Sequence, residues 1–127
     1  MTANPTATKY SIGGPAAAAD PTVTQVVGAD RYATSVLVAQ TFFSKPTGAG
    51  VATGVNFPDA LTAGPFLANQ GWPMLLTDPS NLPTSISDYL TSVKATIVAV
   101  DVFGGTAAVS DTVFNQLVAL FNSATGG

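Results

Sequence analysis

Arg31 is the only arginine in the chain, and it closes the run Gly28-Ala29-Asp30-Arg31. A guanidinium presents five donors in a planar fork that matches a phosphate or a carboxylate. The run reads as a turn entering a helix, with Asp30 as N-cap, so Arg31 falls in the first helical turn. The helix dipole disfavours a cation there, and a residue set against its local field calls for a partner. Two partners fit. One is a salt bridge to Asp59 or Asp78, whose turns belong on the same edge of the fold. The other is an anionic group on a ligand.

Two further turns could hold an anion with backbone N–H groups: Thr53-Gly54 and Gly104-Gly105-Thr106, each ahead of a helix. Either also reads as an ordinary strand-to-helix turn. Asp30, Asp59, Asp78 and Asp111 could suggest paired carboxylates for hydrolysis or an oxygen-ligand metal site. Each also stands at a helix start or turn, where Asp is the expected cap. The chain has no His, no Cys and no Glu. That removes the usual general base, thiolate zinc sites and disulfides. Neither a Walker A pattern nor G-x-G-x-x-G occurs, so no nucleotide cofactor is expected. The reading is a non-enzyme with neither cofactor nor metal.

Charged residues are only 9% of the 127, while hydrophobic ones are 46%. The charged share is about a third of the usual one. Much of the surface must then be Ala, Thr, Ser, Gly and Asn. Identical subunits or a partner would cover part of such a surface; a Thr/Ala-rich exterior is the plainer reading. A net charge of −3 offers no basic patch for nucleic acid and no broad attraction to anionic membranes. No apolar run approaches the length of a membrane span, and no signal peptide opens the sequence.

The elements that must position these residues follow from punctuation and periodicity. Met1–Pro21 is rich in Ala, Pro, Thr and Gly, with Tyr10 and Ile12 as its only large anchors. It is expected to be a flexible arm docking on a neighbour. Residues 22–127 form the module. Strands are expected at Thr22–Val27, Gly50–Thr53, Pro73–Thr77 and Thr96–Phe103. Helices are expected at Arg31–Phe43, Phe57–Gln70 and Thr84–Val93, with a last one after Ser110. Asn56 caps the second helix, and Pro65 kinks it. Pro73–Thr77, continuously apolar, reads as a central strand. Ile86, Tyr89, Leu90 and Val93 make one helical stripe, and Val113, Phe114, Leu117, Val118 and Phe121 make another. Trp72 either packs over an edge of the sheet or anchors a partner. Connections of these lengths join parallel strands. The expected fold is α/β: a three-layer module with a four-stranded parallel sheet and helices on both faces. Its turns gather at the carboxyl edge, where open α/β sheets bind ligands.

Four segments in this order carry a family resemblance: Gly28–Thr34, Ala52–Gly54 with Asn56–Leu61, Pro73–Thr77, and Phe103–Ser110. They resemble the cell wall binding repeat 2 family over about Thr22–Phe121. The resemblance implies a flavodoxin-like, non-catalytic module. Members usually carry three tandem copies around a pseudo-threefold axis and anchor surface proteins to anionic cell-wall polymers. The family's Pro-Ile-Leu-Leu segment falls on Pro73, Met74, Leu75 and Leu76, with Met74 in place of Ile. The resemblance implies polymer binding for those four residues, and the expected binding set adds Arg31, Gly104, Gly105 and Thr106 from their own chemistry. Only one copy is present, so a threefold arrangement calls for a homotrimer. Asp101 interrupts an otherwise apolar strand. The expected partner is an anionic cell-wall polysaccharide at the bacterial surface. The alternative is a bacteriophage capsid or tail protein, with the same trimer as a virion component.

Overall fold

The computed structural model describes residues 8–55 and 57–125. The expected N-cap Asn56 and the first seven residues of the arm lie outside them. In chain order the elements are β1 (Tyr10–Ile12), α1 (Gly14–Ala19), β2 (Thr24–Val26), α2 (Arg31–Phe42) and β3 (Gly48–Thr53). They continue with α3 (Phe57–Gln70), β4 (Met74–Thr77), α4 (Thr84–Val93), β5 (Ala99–Phe103) and α5 (Asp111–Thr125). Residues 8–21, within the stretch read as an arm, thus contain a strand and a short helix.

All pairing among the described residues is parallel, but the expected four-stranded sheet does not form. Two sheets stand in its place: β1-β2, and a three-stranded sheet in the order β4-β3-β5. The outer edge of β4 meets α2 instead of a further strand. There the Leu76 N–H donates to the Ser35 hydroxyl at 3.1 Å instead of to a β2 carbonyl. Next to Ser35 on α2, the Thr34 hydroxyl accepts from the Gly28 N–H at 2.9 Å. The first turns of α2 therefore stand between the two sheets, one hydroxyl bonded toward each. β2 pairs with β1 instead, in the register Tyr10↔Thr24, Ser11↔Gln25, Ile12↔Val26.

The strand expected at the centre, β4, is an edge of its sheet, and β3 takes the middle. Every residue of β3 is buried. Ala49 and Val51 face a core built with Val36 and Ala39 of α2, Leu75 of β4, Ile86, Tyr89 and Leu90 of α4, and Val113 and Leu117 of α5. The opposite face is covered by α3. Gly50 leaves room there for Leu67, and Gly48 leaves room for the Trp72 indole. Trp72 packs over this edge and donates from Nε1 to the Thr47 hydroxyl at 3.1 Å, the first of its two expected roles. Asp101 pairs in register with Gly50. Strand alternation puts it on the α3 face with Phe103, whose ring meets Phe66 at 5.9 Å between centroids.

The α4 stripe packs as expected for Ile86, Tyr89 and Leu90. The Tyr89 hydroxyl is buried without a partner, and desolvation raises the phenol above its ordinary value. On α5, Val113 and Leu117 are buried while Phe114 and Val118 remain exposed.

Candidate functional site

Asp30 caps α2: its carboxylate accepts from the Ala33 N–H at 2.8 Å. This fixes where the helix starts and so where Arg31 emerges. The Arg31 guanidinium donates through Nη1 to the carbonyl of Gly54, at the end of β3. Gly54 permits this, because a Cβ there would lie 2.9 Å from Arg31 Cδ. The partner the structure gives Arg31 is thus a backbone carbonyl rather than Asp59 or Asp78. One nitrogen is engaged, and the exposed group keeps further donors.

Arg31 lines a crevice of about 570 Å³ that is bordered by residues of both sheets. Its lining includes Ile12, Gly13 and Gly14 at and after the end of β1, Val27 through Asp30, and Met74 and Leu76 of β4. Thr34 and Ser35 contribute hydroxyls from α2. The lining is therefore mostly apolar, with one cation, one capping carboxylate and two hydroxyls. That suits a ligand with an apolar face and an anionic substituent, such as a sugar chain.

The structure divides the expected binding set. Met74 and Leu76 are half-buried and face the crevice with Arg31, whereas Pro73 and Leu75 are buried. Strand alternation explains the split, since neighbours along β4 point to opposite faces. Gly104, Gly105 and Thr106 are exposed and lie outside the crevice lining. Gly104 has φ +116°, and a Cβ there would meet Asp59 Oδ2 at 2.6 Å. A carboxylate thus lies against that turn. Asp78 accepts from the Ser80 and Asn81 N–H groups and holds its own turn. Among the described residues, no group of three or more acidic side chains could hold a metal ion.

Sequence reasoning passed over Thr34, Ser35 and the Ile12–Gly14 wall. The hydroxyl pair one turn beyond Arg31 was a legible signal. The wall was not, because only pairing with β2 brings it there.

Residues 25–114 match the model of cell wall binding domain 2 (CWB2). The chain is 31% identical over 106 residues to N-acetylmuramoyl-L-alanine amidase LytC of Bacillus subtilis, covering 84% of this chain and 21% of that protein. It is 36% identical over 95 residues to the amidase enhancer of the same organism, covering 75% and 12%. It thus spans about a fifth or less of the length of these relatives. Among solved structures it resembles Cwp8 from Clostridium difficile with TM-score 0.73 and 25% identity, covering 89% of this chain and 20% of that one. Cwp6 from the same organism gives TM-score 0.69 at 23% identity, covering 76% and 15%, a likeness of fold. With the family model spanning most of the module, this chain belongs to the cell wall binding domain 2 family.

Proposed function

We propose that this module anchors to an anionic cell-wall polymer through the crevice bordered by its two sheets and does so as a homotrimer. The observation that carries the reading is Arg31 lining one crevice together with Met74 and Leu76. The guanidinium takes the anionic substituent, and the apolar lining takes a sugar face. Catalysis has no part in it: a binding family matches the chain, and the sequence contains no His, Cys or Glu.

The trimer accounts for the apolar surface. Val98 is 85% exposed and Leu61 73% exposed, with Phe66 and Phe114 also outward. A groove of about 450 Å³ between β5 and α5, lined in part by Val98, Phe114 and Val118, offers area for a neighbour. Three weak sites on one particle gain strength through effective concentration.

Co-sedimentation with isolated cell walls tests the reading. Arg31→Ala is expected to remove a charge-assisted hydrogen bond worth about 1.5–3 kcal/mol per site, tenfold or more in retention. Arg31→Lys is expected to restore it only in part, because an ammonium lacks the fork. Both variants are compared at matched thermal stability, since the side chain also bonds Gly54. Equal retention of wild type and Arg31→Ala would remove the arginine from the site.

A further inference from the structure

The wall formed by Ile12, Gly13 and Gly14 lies before the family-matched residues 25–114. Its sequence nevertheless has a counterpart inside them. Gly13, Gly14, Ala16, Ala17 and Asp20 recur as Gly104, Gly105, Ala107, Ala108 and Asp111, each 91 positions later (13 to 104).

The structural settings also correspond. β1 ends at Ile12 and β5 at Phe103, and each is followed by a glycine in the positive-φ region, Gly13 at 87° and Gly104 at 116°. Ile12 pairs with Val26, two residues before Gly28; Phe103 pairs with Ala52, two residues before Gly54. In both cases the strand lies parallel to one that leads through a glycine turn into a helix.

The two copies differ in what fills the space beside the turn. At Gly104 the Asp59 carboxylate occupies it, whereas a Cβ on Gly13 or Gly14 would meet nothing within 4 Å. At Gly104 the second copy carries a negative charge that would repel an anion, although Gly105 beside it is open. The first is open, and its glycines line the same crevice as Arg31.

We infer that Ile12, Gly13 and Gly14 are a ligand-contacting wall of the polymer site, supplied by a second version of the module's own strand-and-turn. This rests on the proposed function and deepens it: the polymer lies between the Gly13-Gly14 turn and Arg31, not on Gly104-Gly105. The glycines serve by having no side chain, which lets a sugar ring approach the backbone closely. Ile12, exposed at the rim, contributes apolar contact to the same face of the ligand.

The test uses the full chain and retention on isolated cell walls, with thermal unfolding as the control for folding. Gly14→Leu, placed in open space, is expected to weaken retention about tenfold, the equivalent of one lost contact. Gly105→Leu, at the matching position of the other copy and equally unobstructed, is expected to leave retention unchanged. Ile12→Asp is expected to weaken retention and Ile12→Lys to strengthen it, because each puts a charge beside an anionic ligand. A merely structural wall would move both Ile12 variants in the same direction, and that result would overturn the inference. So would Gly105→Leu weakening retention while Gly14→Leu does not. Wild-type chain that fails to sediment with walls would remove the proposed function and this inference together. Retention by the wild type that ignores Gly14→Leu and both Ile12 changes would remove this inference alone.

Discussion

Truncating Leu75 to alanine is expected to lower folding stability by about 2–5 kcal/mol, read as a fall in urea midpoint at constant slope. Leu75 belongs to the segment that the family resemblance assigns to polymer binding, yet it is fully buried. It pairs in register with Val51 and belongs to the core that α2, α4 and α5 build over β3. Removing its branched end leaves a cavity between rigid elements that cannot collapse onto it. Small domains are stable by only about 5–15 kcal/mol, so a loss at the upper end unfolds a large share of the molecules. Any lost retention should then track unfolding. Its neighbour Leu76 points into the crevice, so Leu76→Ala should cost less stability and act on retention directly. If Leu75→Ala kept its urea midpoint while losing polymer, the division of β4 into a packing face and a ligand face would be wrong.

Gly28→Ala is expected to damage stability and retention together. A Cβ on Gly28 would lie 2.6 Å from the Ala33 carbonyl carbon, the Ala33 Cβ and the Thr34 nitrogen. Two of those atoms are backbone, so no rotamer change relieves the overlap. The start of α2 must shift, and with it the Gly28 N–H bond to Thr34 and the position of Arg31. Overpacking of this kind costs about 1–3 kcal/mol, and rigid backbone on the receiving side puts Gly28 at the upper end. Gly105→Ala is the contrast. A Cβ there meets nothing within 4 Å, and its cost should stay within about 0.5 kcal/mol. Melting temperatures of the two variants decide the matter. Equal values would mean that the Gly28 turn is less constrained than its contacts imply.

The sequence was most informative where structure is local. α4 spans Thr84–Val93 as its stripe requires, and α3 spans Phe57–Gln70. Asp30 caps α2 as its type and position indicated. Periodicity overreached on α5, where Phe114 and Val118 share the apolar stripe but stay exposed. A stripe records which residues could be buried, not how much of it a neighbour covers. What the sequence concealed was non-local. β1 is three residues long and exists through its pairing with β2. α1, Gly-Pro-Ala-Ala-Ala-Ala, has no apolar periodicity to announce it. At the split between the sheets a serine hydroxyl bonds a strand 41 residues away, a contact that no local rule encodes.

For the candidate site the same division holds. Arg31, Met74 and Leu76 were legible and come together around one crevice. Pro73 and Leu75 were legible as a segment, but the strand period separates them from it. Gly13-Gly14 was hidden inside the stretch read as an arm, and tertiary packing distinguishes it from Gly104-Gly105 by setting Asp59 against Gly104. Of the two partners expected for Arg31, an acid of the chain or an anionic ligand group, the structure shows neither; the side chain bonds the Gly54 carbonyl, which satisfies one donor without neutralising the charge.

The most direct test of the crevice is to titrate purified anionic wall polymer into isotopically labelled chain and follow its backbone amides by NMR. The account predicts that the largest shifts fall on Ile12–Gly14, Gly28–Arg31 and Met74–Leu76, with Gly104–Thr106 unmoved. Shifts centred on Gly104–Thr106, or none in the crevice at saturating polymer, would contradict it.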